Sequence, residues 1–218
     1  QWRMHSNLEA LIDEHAARMA ERMVAAAKDA HSEEDVRHEV NSLIDGFVKE
    51  AGLTIKGRHE YGLAGGRVDS KYGHVVIEFK DPHGSGKITE NRDAPGTKAV
   101  VEQILTRFHG LQVEEHVEKE RVFGVGCDGD TFVFVTMPGR DAVIVEPQPV
   151  TPYTVTRLLR ALVSLGARGL SFTPQNLAER FGSDGESARN GIRLIHDLIH
   201  ETQNPKAQTF FRQWQILF

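Results

Sequence analysis

Apolar residues recur at helical spacing from the first stretch of the chain. In residues 6–30, SNLEALIDEHAARMAERMVAAAKDA, the residues Leu8, Leu11, Ile12, Met19 and Met23 form one stripe among strong helix formers, which predicts a packing helix. Ser32 is an N-cap, and SEEDVRHEVNSLIDGFVKEAG predicts a second helix that ends at Gly52. The period then changes. Strands are predicted near 53–59, 66–71 and 74–80, with Tyr-Gly as the turn between the last two. A loop rich in Gly, Pro and charge (81–96) leads into a helix on TKAVVEQILTRFHGL, whose Val101, Ile104, Leu105, Phe108 and Leu111 fall at helical spacing. Residues 121–147 carry three more strands: RVFGVGC, then TFVFVTM after the hairpin signal DGD, then AVIVEP after a turn at Pro138-Gly139. The expectation is an α/β fold, a mixed central β-sheet flanked by helices.

The stretch PQPVTPYT (147–154) interrupts this pattern with three prolines, and the phrases beyond it are helical. Residue 150 is therefore the expected domain boundary, with residues 1–150 as the α/β domain and 151–218 as a C-terminal helical connector. Charge changes sign at the same place. Residues 151–218 hold 8 Lys+Arg and 5 Asp+Glu, which leaves 18 against 26 for residues 1–150. An acidic segment is a poor bulk partner for nucleic acid unless its carboxylates gather where a cation binds. The single cysteine, Cys127, excludes an internal disulfide framework and fits a reducing, cytoplasmic setting. No apolar run approaches the ~18 residues of a membrane helix, so no membrane partner is expected. The opening at Gln1 and the close inside the helical phrase FFRQWQILF read as a piece of a longer polypeptide.

The candidate chemistry lies in GRVDSKYGHVVIEFKDP (66–82). Strand alternation directs Val76, Glu78 and Lys80 to one face and Val75, Ile77 and Phe79 to the other, so an acid and an ammonium share a face of an otherwise apolar strand. Charges are costly to bury unless they are paired or bound to a metal. A tight hairpin would bring Asp69 close to Glu78. Two carboxylates held together repel, and a hard divalent cation relieves the repulsion. Asp69, Glu78 and the backbone carbonyl of Phe79 are the candidate metal ligands, with Mg²⁺ preferring oxygens at about 2.1 Å and Mn²⁺ able to substitute. Lys80 would sit beside the attacking water of a phosphodiester hydrolysis. Two alternatives stand. One is a plain ion pair between Glu78 and Lys80, with Asp69 at a turn; the other takes Asp69 and Lys71 as the acid-x-Lys pair, with Glu60 upstream.

The phrase GRVDSKYGHVVIEFK resembles the core motif of the PD-(D/E)XK nuclease superfamily, with Val68 in place of the proline of the motif's name. The helix, acid-bearing hairpin and following helix over 32–111 match that family's order. The context most resembles nuclease domains fused to N6-adenine methyltransferases in type IIG and type I-like restriction systems. It covers roughly residues 30–150 and extends into the tail if LAERFG, SARNGIRLIHDLI and FFRQWQILF are the connector found there. The resemblance implies a restriction-endonuclease-like fold and Mg²⁺-dependent endonuclease activity on double-stranded DNA that leaves 5′-phosphates. It also implies a methyltransferase and target-recognition region outside this chain, a homodimer for double-strand cutting, and a role in restriction-modification or phage defence.

Two further residues come from the same resemblance. Glu33 with Arg37 matches a helical glutamate that supports the metal site; by its angle, roughly 20° from the centre of the apolar face, Glu33 points inward. An acid beneath the Ser32 cap is also explained by the helix dipole alone. Gln103 matches a glutamine on the helix after the motif, although Arg107 stands where an aromatic is usual and Gln103 falls opposite the apolar stripe, as a solvated residue would. Lys87, Arg92 and Lys98 are candidate phosphate contacts. Two readings of other classes remain: a catalytically inactive DNA-binding or assembly module of this fold, and a helix-turn-helix protein acting through 171–200, where FTPQNLAERFGSDGESARNGIRLIHDLI has a suitable outline.

Overall fold

The structure, a computed structural model, describes residues 2–166 together with Thr209. The expected helix-turn-helix at 171–200, the phrase FFRQWQILF and most of the connector lie outside the described residues. The chain divides into two compact units, Gln1–Gly169 and Leu170–Phe218; the sheet, its flanking helices and the candidate site belong to the first.

Helix α1 (Trp2–Asp29) starts before the predicted stripe, and α2 (Glu33–Glu50) begins after the Ser32 N-cap. Asp35 accepts the Ser32 backbone N–H at 3.0 Å, one of the orphan donors of a helix start. Three strands follow, β1 (Gly57–Leu63), β2 (Gly66–Tyr72) and β3 (Val75–Phe79), then α3 (Pro95–Glu114). A 3-10 turn at Lys119–Arg121 leads to β4 (Phe123–Cys127), β5 (Thr131–Thr136), the two-residue strands β6 (Val143–Ile144) and β7 (Gln148–Pro149), and α4 (Pro152–Gly166). Among the described residues, seven strands form one sheet in the order β1-β2-β3-β4-β5-β6, with β7 also on β5. In that sheet only β3 and β4 run parallel; the other pairs are antiparallel, so the sheet is mixed. A parallel pair needs a long crossover, and α3 with its flanking loops supplies it.

The sheet is covered on both faces. Tyr72, Val75, Ile77, Phe79, Phe123, Val125, Phe132 and Phe134 pack with α1, α2 and α4; Val68, Val76, Val133 and Val135 pack with Ile104 and Phe108 of α3. Central strands buried on both faces read as unbroken apolar runs, as β3 to β5 do. Among the described residues, no helix is long and apolar enough to cross a membrane.

The first strand lies at Gly57–Leu63 rather than 53–59. Leu53 and Ile55 alternate like a strand, yet they pack as a lead-in against the α1/α2 core, while the more polar residues after them pair with β2. Residues 152–166, expected in the connector, form α4, whose Val155, Leu158, Leu159 and Leu162 belong to the core shared with α1.

Candidate active site

Strands β2 and β3 pair over only three positions, from Tyr72–Val75 to Ser70–Ile77. Beyond that the ladder opens, and Asp69 fills the gap: its Oδ2 accepts the Phe79 backbone N–H at 2.8 Å. A local break in strand alternation turns the side chain this way. Val68 packs on the α3 face, and so does Lys71, whose Nζ is 2.8 Å from Glu115 just past α3, although residues three apart should face oppositely. The break faces Glu60, between the pairs His59–Ser70 and Tyr61–Val68, where φ is +49°. Such a φ is uncommon for a residue with a Cβ and re-aims the strand. Because the N–H and C=O of one strand residue point to the same edge, the Phe79 carbonyl opens on the side of Asp69.

Glu78 lies on the α3 face, as predicted, and is 2% exposed. Its Oε1 accepts the Arg107 Nε–H at 2.8 Å. Burial pushes the Glu78 carboxyl up to about 7; the Arg107 hydrogen bond opposes this, the Asp69 carboxylate adds to it, and Lys80 pulls it down. Glu33, half-buried at the start of α2, is also raised, first by burial and then by Asp69, while Lys80 and Arg37 lower it and Asp81 raises it. Asp69 and Lys80 thus act electrostatically on both Glu33 and Glu78, and Asp69 is held against the backbone at the carboxyl end of β3.

The remaining expectations divide. Lys80 makes no ion pair with Glu78: the salt bridges of Glu78 among the described residues go to Arg107, so the plain Glu78–Lys80 pair is not what forms. The rival pair Asp69/Lys71 is also disfavoured, since Lys71 is buried against Glu115. Arg37 reaches Glu34 at 3.1 Å and Glu60 at 3.4 Å rather than Glu33. Gln103 departs from a solvated residue, being half-buried with an Oε1 that is shielded and has no hydrogen-bond partner. It lies one helical turn before Arg107 on α3. Arg92 and Lys98 are engaged at the surface with Glu146 at 3.6 Å and Asp93 at 3.0 Å, while Lys87 is exposed.

Sequence reasoning missed Arg107 and Asp128. Arg107 interrupts the apolar stripe of α3 between Ile104 and Phe108, and a guanidinium inside a buried stripe signals a buried acid opposite. Asp128, in the DGD turn, is 2% exposed and accepts backbone N–H groups from Ile88, Asp130 and Thr131 at 3.2, 3.0 and 2.7 Å. It anchors the 81–94 loop next to β3, whose extension is held by the Lys80 N–H on the Cys127 carbonyl at 3.0 Å.

The donors fit a hard divalent cation. Asp69 and Glu78 each commit one oxygen to a protein N–H and keep the other, the Phe79 carbonyl opens beside them, and the mutual repulsion of the acids is the field a cation relieves. An all-oxygen set suits Mg²⁺ or Mn²⁺ over softer metals. No group of three or more His, Cys, Asp or Glu side chains arranged to hold a metal occurs among the described residues, and the set of Asp69, Glu78 and Phe79 has two such side chains and one carbonyl. Comparison with protein families, curated proteins and solved structures finds no match to this chain.

Proposed function

We propose that this chain is a Mg²⁺-dependent DNA endonuclease, in keeping with its resemblance to PD-(D/E)XK nucleases and with a cytoplasmic role in restriction-modification or phage defence. The observation that carries the reading is the fork between β2 and β3, where Asp69 takes the place of a ladder partner for Phe79, the residue between Glu78 and Lys80, and its charge is felt by Glu78. A bound Mg²⁺ would supply Lewis acidity and lower the proton affinity of a bound water. Asp69, Glu78 and the Phe79 carbonyl would hold it, and Glu33 would orient water from α2. Lys80 carries the positive charge that orients the attacking water and offsets the charge growing on the phosphate. Lys87 and Arg92 in the 81–94 loop and Lys98 in the first turn of α3 can meet the DNA backbone; exposed pairs like those of Arg92 and Lys98 contribute only about 0–1 kcal/mol, so phosphates can displace them.

A second reading has one observation in its favour. Arg107 already occupies one oxygen of Glu78, as it would in a module that keeps this fold to bind DNA without cutting it. Incubating supercoiled plasmid with the full chain, with and without Mg²⁺, separates the two. Nicking or linearisation that requires Mg²⁺ is expected, and Lys80→Ala is expected to lower the rate by at least about 100-fold, within the range of lost charge stabilisation at a reacting centre, while DNA binding by gel shift persists. Cleavage by K80A at the native rate would remove the mechanism.

A further inference from the structure

Arg107 joins three parts of the fold at one point. Its Nε–H is on Glu78 Oε1 at 2.8 Å, and its Nη1 donates to the Gly65 carbonyl at 3.0 Å. Gly65 in the turn between β1 and β2 and Gly66 at the start of β2 have φ of +90° and +128°. A Cβ on Gly66 would stand 2.6 Å from Arg107 Nη1, and one on Gly65 would stand 2.9 Å from Thr106 Cγ2. Gly110, one turn further along α3, would place a Cβ 2.7 Å from the Ala64 carbonyl. The Leu-Ala-Gly-Gly phrase at 63–66 is therefore a turn bare enough to seat α3 and its guanidinium, not a phosphate loop.

Resting on the nuclease reading, we propose that Arg107 is the positioning residue of the metal site: clamped by the Gly65 carbonyl, its guanidinium fixes Glu78 so that the carboxylate offers its other oxygen to the cation beside Asp69. A guanidinium has donors in a rigid fork, which lets one side chain hold an acid and a carbonyl at once; an ammonium has no such fork. Glu78 is 2% exposed, and among the described residues its carboxylate takes its side-chain hydrogen bond from Arg107. The groups facing it are Arg107 from α3, Asp69 from β2 and Lys80 beyond β3. Partners that orient a metal-binding carboxylate typically change metal affinity by about 10–100-fold when removed.

Mn²⁺ binding to the full chain, followed by calorimetry and by the paramagnetic signal of the free ion, tests this without DNA. The native chain is expected to bind and Asp69→Asn to lose binding. Arg107→Gln, checked for its fold by circular dichroism, is expected to bind at least about tenfold more weakly, with Arg107→Lys between. Equal or tighter binding by a folded R107Q, while D69N is lost, would overturn the positioning role and leave the nuclease reading standing. Failure of both the native chain and D69N to bind, or equal binding by both, would instead overturn the nuclease reading and the inference with it. If R107Q does not fold, R107K decides: native affinity in R107K overturns the role.

Discussion

Glu78 and Asp128 are both carboxylates taken out of water, and the donors that hold them differ in kind. Glu78 has a guanidinium, whereas Asp128 has backbone N–H groups. Burial pushes Asp128 from 3.8 up to about 6, and Glu78 from 4.5 up to about 7, in each case against the pull of those donors. In both, the folded protein holds the proton more tightly than the unfolded chain. Their contribution to stability is therefore full below about pH 4 and is lost as pH rises through 6 and then 7. At about 1.4 kcal/mol per unit, Asp128 alone removes up to about 3 kcal/mol over that window. Urea midpoints taken from pH 4 to pH 8 are expected to fall. Asp128→Asn, which cannot titrate, is expected to flatten the lower part of the decline, while starting less stable at pH 5 because its amide N–H₂ faces the Ile88 N–H. A native stability that rises across pH 5–7 would contradict these environments.

Glycines of β4 let helix α3 pack directly on the sheet, with no room for a Cβ at Gly124 beneath Ile104 and Phe108, where it would collide with the Ile104 side chain. Gly126 would place one 2.6 Å from Val133 Cγ1. Gly124→Val would push α3 away from β4 and draw Arg107 off Glu78 with it. The expected loss is about 1–3 kcal/mol, the usual cost of overpacking a well-filled core, measured by denaturant unfolding, together with weaker Mn²⁺ binding. Much at this scale was legible in the sequence. The stripe of α3, the Ser32 cap and the apolar runs of β3 to β5 are patterns with fixed periods, and the helices and central strands follow them. What could not be read were facts of contact. The flip at Glu60 and Asp69 has no period to announce it, β1 is a strand because β2 pairs with it, and the union of Arg107 with Glu78 joins residues 29 apart on different elements. Gln103 shows the same limit: its angle on the helix reads as solvated, yet tertiary packing leaves it half-buried with its Oε1 shielded.

At the scale of the whole unit, the question is where the chain must end for the site to survive. Prolines at 147–152 suggested a boundary at 150, because proline clusters often separate domains. Instead they end the sheet and start α4, whose Pro152 occupies a first turn that needs no N–H. Val155, Leu158, Leu159 and Leu162 are each fully buried, in one core with Ile12, Met19 and Met23 of α1 and Phe132 and Phe134 of β5. Exposing these four side chains forfeits about 6–12 kcal/mol of transfer free energy at most, comparable with the total ~5–15 kcal/mol that holds a domain folded. A fragment of residues 1–150 is therefore expected to aggregate or to unfold without a cooperative transition, while a fragment of 1–169, which keeps the compact unit, is expected to melt cooperatively. Circular dichroism melts of the two fragments beside the full chain check this. Because Phe79 and Phe134 share that core with α4, and Phe79 presents its backbone to Asp69, loss of α4 is also expected to abolish Mn²⁺ binding in 1–150. Native-like melting and Mn²⁺ binding by 1–150 would show that the sheet holds its fork without the helix that covers it.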